Sequence, residues 1–396
     1  MKIVIIDGAD PAGNGGAMRG HEMGKALTAL GNDVAIIPTA SGMDSAALTA
    51  APDAVVFTGT WHCLSWFGAD ILNLTDKCDR AGIPCLWWFG SNGSVFGCAD
   101  PDPAVRARAE AAVIEQICAR EFIGVICPYS IDIYQRHGVP REKMRLVPTV
   151  FDGELFAPAE SRRERYASMR LRREFGIPDS ACLLGTTGHT PNSKGGDDVI
   201  RAIALLRDEM PDLHYLVQHT PAANLNRVKA VSPDKTRIGN SEFDVLQLTK
   251  QLAVDLGVAD RVHFMGMRLK REAMPLFYHC LDVYCSPSKA ENLGQPLVES
   301  QLCGLPLVTY QGFSFDFVVC PDTAEQVAPC RTVTDDYGLV IPEVDPHDLA
   351  IAITRARITA ETPESAEFTR EWTYKKFHWS NATNMVDALN AYRRMM

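Results

Sequence analysis

Residues 282–309, DVYCSPSKAENLGQPLVESQLCGLPLVT, constrain the fold more than any other stretch of the chain. Leu281 to Cys285 is short, apolar and partly β-branched, and Ser286-Pro287-Ser288 stops it, as expected of a strand buried in a parallel sheet. Pro296 suits the first turn of a helix, where its fixed φ and missing N–H cost nothing. Gly304 with Pro306 closes the far end before Leu307-Val308 begins another strand. The unit reads as β-loop-α-β. Its loop, Asn292, Leu293, Gly294 and Gln295, leads into a helix N-terminus, where unpaired backbone N–H groups and the positive dipole end attract an anion. Gly294 permits a close approach. Glu291 and Glu299 bracket that N-terminus and would repel a bare phosphate. A ligand with phosphate at its centre and hydroxyl-bearing sugars on either side resolves the conflict, because an ionised carboxylate accepts from vicinal hydroxyls. A nucleotide sugar fits that description; the bland alternative is a solvated helix with two exposed glutamates.

The same alternation runs through the whole chain. Lys2 to Asp7 reads as a buried parallel strand, and Gly13-Asn14-Gly15-Gly16 as a glycine-rich loop before a helix over 17–30 and a strand over 34–37. That is a phosphate-approach geometry, although its spacing is not the dinucleotide fingerprint. Strands over 53–58 and 84–89 end in loops holding Trp61, His62, Ser91 and Asn92, and carboxyl ends of such strands face the ligand crevice. Further on, 104–120 has helical periodicity and 124–128 reads as a strand. The Arg-rich stretch 160–174 carries interleaved Glu160, Glu164 and Glu174, the pattern of a solvated linker helix rather than a nucleic-acid or membrane patch. A strand over 182–187 opens a second half. After it comes Gly188-His189-Thr190-Pro191-Asn192-Ser193-Lys194-Gly195, where a flexible ammonium beside glycines can reach a diphosphate as a point charge. Helices over 197–208, 243–256 and 272–279 alternate with strands over 213–218 and 262–265. Residues 372–396 read as a helical tail.

Length allows two or three domains with proper cores. The net charge of −10 argues against a nucleic-acid partner or stable adhesion to an anionic membrane. No signal peptide or apolar run of membrane-spanning length is visible, so a cytoplasmic protein is expected. The 12 cysteines are scattered without zinc spacing, and are read as reduced, mostly buried small hydrophobes; Cys320 and Cys330 are the one pair that could bridge. No metal site is expected.

Ser288, Glu291, Leu293, Gly294, Glu299, Cys303, Gly304 and Pro306 resemble the donor-site signature of the retaining GT-B glycosyltransferases of the GT4-like family, glycosyl transferases group 1, which carry E-x7-E. GGAMRGHEMGKALTALGNDVAII resembles the first helix of that family. VPREKMRLVPTVFDGELFAP resembles its interdomain motif, with Thr149 and Val150 in place of Asn-Gly. The resemblance covers nearly the whole chain. It implies an α/β GT-B fold: two Rossmann-like domains facing each other across a cleft, with a C-terminal helix crossing back to the first. The domains implied are an acceptor-binding one over 1–165, joined by 372–396, and a nucleotide-sugar-binding one over 166–371.

It also implies site roles. Glu291 touches hydroxyls of the transferred sugar, Glu299 holds the ribose, and amides of Asn292, Leu293, Gly294 and Gln295 hold the diphosphate. Gly15 and Gly16 press on the donor phosphate, Gly188, His189 and Lys194 stabilise the departing diphosphate, and the turn at Met267 lines the base pocket. His189 stands where the family has Arg. No His occupies the family's place in the second loop, so Asn92 or His62, with Trp61 and Ser91, are the acceptor-side candidates. Residues 313–337 depart from the family and read as an insertion that shapes acceptor choice.

The implied reaction moves a sugar from a nucleotide-diphosphate sugar, UDP-linked by family frequency, to a hydroxyl of a soluble acceptor, with retention and without metal or other cofactor. Donor base and sugar, acceptor and oligomeric state stay open. Competing readings are a sugar-nucleotide epimerase or phosphorylase on the same scaffold, and a nucleotide-sugar-binding protein without catalysis. A dinucleotide oxidoreductase ranks last, because the glycine spacing is wrong in both halves.

Overall fold

The computed structural model describes residues 1–7, 15–38, 43–60, 62–90, 102–159, 161–188, 194–219, 245–267, 269–289, 291–334 and 340–396. By contact the described residues divide into two compact units, one within 1–152 and 376–396, the other within 153–334 and 340–375. The sequence reading drew these lines at 165 and 372. Arg370 and His279 account for the earlier break: Arg370 donates to the carbonyls of Gly153 and Phe156, and His279 Nε2 meets the Ala157 carbonyl at 2.6 Å, so the segment after residue 152 is held to the second unit.

The first unit alternates as its apolar runs demand. It holds β1 (Lys2–Asp7), α1 (Gly15–Ala29), β2 (Asp33–Pro38), α2 (Met43–Thr49), β3 (Ala54–Thr60) and α3 (His62–Ala81). These are followed by β4 (Cys85–Gly90), α4 (Pro103–Cys118), β5 (Ile123–Val125), α5 (Pro128–Arg136) and β6 (Met144–Leu146). The six strands form one parallel sheet in the order β2-β1-β3-β4-β5-β6. Ile3 to Ile6 and Cys85 to Phe89 are buried on both faces, the condition for a parallel sheet covered by helices on each side. Gly15 and Gly16 start α1 instead of lying in a loop before it. The strand expected to run to Pro128 stops at Val125, because Pro128 sits in the first turn of α5.

The second unit contains α6 (Arg162–Glu174), β7 (Cys182–Gly188), α7 (Gly196–Leu206), β8 (Leu213–His219), α8 (Val245–Asp255), β9 (Val262–Met265) and α9 (Met274–His279). Then come β10 (Val283–Cys285), α10 (Gln295–Leu302), β11 (Leu307–Tyr310), α11 (Phe315–Val318) and β12 (Glu325–Val327). Its parallel sheet runs β12-β11-β10-β7-β8-β9. The antiparallel pair β13 (Arg331–Thr334) and β14 (Val340–Glu343), and the helices α12 (Pro346–Ala360) and α13 (Pro363–Phe377), complete the order. Residues 313–337 are thus not a plain insertion. Val308 to Tyr310 pair with Glu325 to Val327, so the segment supplies the sheet's last strand and half of a hairpin. α14 (Thr383–Met395) returns to the first unit, where Tyr392 packs on Phe122 with ring centroids 5.2 Å apart.

Candidate functional site

Strand order places the site. In the second sheet the chain builds outward from β7 through β8 to β9 and then crosses back to β10 on the other side of β7, so the winding reverses there and leaves a crevice beyond the carboxyl ends of β7 and β10, where α/β proteins bind ligands. The loop leaving β7 carries Lys194 and the loop leaving β10 carries Glu291. The Lys194 ammonium donates to Glu291 Oε1, and Ser288 Oγ donates to the same oxygen at 2.9 Å. Both charged side chains are mostly covered, at 20 % and 16 % exposure. Gly188 makes room for this: a Cβ there would lie 2.7 Å from Lys194 Cγ and 2.8 Å from its Cε.

The segment after Glu291 folds as its residues dictate. Gly294, at φ +83°, is the left-handed N-cap of α10, and Pro296 occupies its first turn. The half-buried Asn292 and Gln295 and the buried Leu293 line this N-terminus. At the far end Gly304 (φ +84°) donates to Gln301 O and Leu305 N to Ser300 O, the left-handed helix stop expected of Gly-x-Pro. Glu299 lies inside α10 and is 5 % exposed. Its Oε1 accepts from Arg271 Nη1 at 2.6 Å and its Oε2 from the Tyr278 hydroxyl at 2.7 Å. Burial, with the Glu299 charge beside it, pushes the Tyr278 phenol well above its ordinary value, so it stays a donor. Each oxygen of Glu299 keeps a second lone pair for a ligand hydroxyl.

Met267 is half exposed, and its carbonyl accepts from Gln218 Nε2 at 2.7 Å, while Gln218 Oε1 accepts from Thr187 Oγ1. These bonds tie the turn after β9 to the ends of β8 and β7. His189, Trp61, Ser91 and Asn92 lie outside the described residues, and for His62 only its place at the start of α3 is described. Gly15 and Gly16 belong to the first unit.

Sequence reasoning missed Arg271 and Tyr278, which orient Glu299 and follow no spaced pattern. It also missed Asp7. In the first sheet the crossovers change direction between β1 and β3, and Asp7, at the end of β1, accepts from Thr58 Oγ1 of β3 at 3.2 Å. Burial pushes the Asp7 carboxyl up to about 6, against the opposing pull of Thr58, His21 and Arg19. Gly20 lets α1 approach it, since a Cβ there would stand 2.5 Å from Asp7 Oδ2. Among the described residues no cluster of His, Cys, Asp or Glu is placed to hold a metal ion, the cysteines whose side chains are described are free thiols, and no helix is long and apolar enough to cross a membrane. Cys320 is buried and Cys330 exposed.

Solved structures share this architecture along the full chain. The Anabaena HepE protein in complex with UDP-glucose superposes with a TM-score of 0.69 at 15 % identity, covering 99 % of this chain and 100 % of that one. Sucrose-phosphate synthase from Thermosynechococcus elongatus gives 0.68 at 19 % identity, covering 100 % of both. The class is therefore the GT-B glycosyltransferase fold. The family model described as glycosyl transferases group 1 matches residues 169–367, just over half the chain, and the protein belongs to that family. Among curated relatives, a D-inositol 3-phosphate glycosyltransferase of Stackebrandtia nassauensis is 29 % identical over 272 residues, 66 % of this chain and 50 % of its own length. That of Acidothermus cellulolyticus is 26 % identical over 341 residues, 84 % and 66 %. The chain thus spans between half and two thirds of these relatives' length.

Proposed function

We propose that the protein transfers a sugar, with retention, from a UDP-linked donor to a hydroxyl of an acceptor, the second unit holding the donor and the first supplying the acceptor side. The observation that carries this reading is the Lys194–Glu291 pair at the β7/β10 crevice, in the loop that leads into α10, the helix carrying Glu299. Without ligand, the two charges neutralise each other. A diphosphate draws the Lys194 ammonium to itself, and hydroxyls of the transferred sugar replace it on Glu291. Both partners are then still satisfied, which matters because an uncompensated charge in a covered site costs on the order of 3–5 kcal/mol. Glu299, held by Arg271 and Tyr278, takes the ribose hydroxyls.

In the step itself, the bond from the anomeric carbon to the diphosphate oxygen breaks and the bond to the acceptor oxygen forms on the same face. The acceptor's proton passes to the departing phosphate oxygen, giving a glycoside and a nucleoside diphosphate. Charge building on that leaving group is stabilised by Lys194, by His189 and by the amides of Asn292 to Gln295, donors already oriented before reaction. No enzyme carboxylate serves as nucleophile, and no metal is required. Support for the UDP donor comes from the HepE complex with UDP-glucose, and the names of the curated relatives point to a phosphorylated polyol as acceptor.

The experiment is a panel of UDP-, GDP- and ADP-sugars against hydroxyl acceptors that include D-inositol 3-phosphate, run with and without EDTA. Lys194→Ala and Glu299→Ala should each lower donor affinity and turnover at least tenfold, while EDTA leaves the wild type unchanged. Near-normal donor binding and turnover in both variants would sink the assignment. Tight donor binding with neither hydrolysis nor transfer across the panel would instead make the protein a nucleotide-sugar binder.

A further inference from the structure

Beside the Lys194–Glu291 pair lies a second ion cluster, built on a buried lysine and two half-buried aspartates. Lys289 is 5 % exposed, and its Nζ stands 3.3 Å and 3.1 Å from the two carboxylate oxygens of Asp197 and 3.6 Å from Asp198 Oδ2. The Tyr310 hydroxyl, at the end of β11, donates to Asp198 Oδ2 at 3.2 Å. Burial by itself would lower the Lys289 ammonium, but the two aspartates outweigh it and hold the group above its ordinary value. Asp197 and Asp198 occupy the first turn of α7, immediately after Lys194 and the two glycines that follow it. Lys289 occupies the loop leaving β10, two residues before Glu291. Gly195, at φ +74°, lets this loop come close: a Cβ there would lie 2.2 Å from the Pro287 carbonyl oxygen.

We propose that Lys289 is a positioning residue of the donor site: with Asp197 and Asp198 it bolts the loop bearing Glu291 to the helix start that follows Lys194. The separation between the ammonium that meets the diphosphate and the carboxylate that meets the sugar is then set by this clamp. The inference rests on the donor reading given above. Its physical basis is the high cost of breaking a buried ion cluster set against its small net stabilisation relative to apolar packing. Such a cluster fixes geometry more than it adds stability. An apolar contact between the same loops would tolerate sliding, whereas one ammonium shared by two carboxylates does not.

The test is a double-mutant cycle on UDP affinity, read by titration calorimetry on the full chain. Lys289→Met, close in shape to lysine but uncharged, should weaken UDP binding about tenfold. In a Lys194→Ala background the same change should cost no more than about twofold, because Lys289 acts through Lys194, and residues that share one interaction are non-additive. An unchanged Lys289→Met affinity, or losses that multiply in the double variant, would overturn the clamp.

If Lys289→Met alone fails to fold, Lys289→Met with Asp197→Asn and Asp198→Asn removes all the buried charges at once. That variant should keep its thermal midpoint and still bind UDP weakly; wild-type affinity in it would show that charge balance alone was needed and overturn the proposal. Wild-type protein that binds none of UDP, GDP or ADP overturns the donor reading and the clamp together. Wild-type binding alongside an unaffected Lys289→Met overturns the clamp alone.

Discussion

Two glycines decide where Lys194 can lie, and they do so differently. At Gly188 a new methyl group would meet only the methylenes of Lys194, which can swing aside, so Gly188→Ala should weaken UDP binding severalfold with little change in thermal midpoint. At Gly195 it would meet a backbone oxygen in a left-handed conformation, so Gly195→Ala should lower both affinity and midpoint. Titration calorimetry beside a melting curve separates the two outcomes. Glu291 gives a further prediction. Glu291→Gln frees Lys194 from its partner, so UDP should bind more tightly while the preference for UDP-glucose over UDP falls. An unchanged ratio of the two dissociation constants would contradict the division of labour between these residues. Glu291, Glu299 and Lys194 stand out as candidates in the sequence because they sit in patterned stretches. Arg271 and Tyr278 were not, since a residue that holds another by its side chain obeys distance in the fold and not spacing along the chain.

At the scale of elements, β8 and β9 are joined by a histidine pair. His214 and His263 stack with ring centroids 5.3 Å apart and share a ring-nitrogen contact of 3.0 Å. Burial, reinforced by His214, pulls His263 down to about 4 from its ordinary 6.5, and burial with Arg261 lowers His214. A folded pKa below the unfolded one means that the unfolded chain binds more protons between those values. The contribution is present above about 6.5 and is lost as pH falls toward 4. The melting temperature should therefore fall through that window, and His263→Leu should flatten the fall; an identical slope in the variant would refute the account. Elements themselves were read well wherever a long apolar run or a glycine stop marked them. The short ones were not: β12, of three residues, has no signal of its own and is a strand only because β11 offers it a free edge.

At the scale of the molecule, the chain's last helix belongs to the unit that its first strand begins. Met385, Ala388, Leu389 and Tyr392 of α14 are buried, Tyr392 on Phe122, and Arg393 donates to the Asp53 carbonyl at 2.7 Å. Truncating such a buried aromatic costs about 3–5 kcal/mol. Tyr392→Ala should accordingly move the calorimetric transition of the first unit to lower temperature and leave that of the second in place. Because the chain forms two compact units, each with its own sheet, the two transitions need not coincide. A uniform shift of both would argue against α14 being part of the first core alone.

The alternation of strand and helix, the glycine and proline stops, and the spacing of Glu291 and Glu299 were determined by the sequence, because each is set by local conformational preference or by periodicity. Strand order was not, and only the tertiary structure puts β7 beside β10 and so brings Lys194 against Glu291 across the crevice. The clamp of Lys289 on Asp197 and Asp198 was likewise invisible in the chain. An ion cluster around a buried lysine, between residues so distant in sequence, exists only once two loops have been folded onto each other.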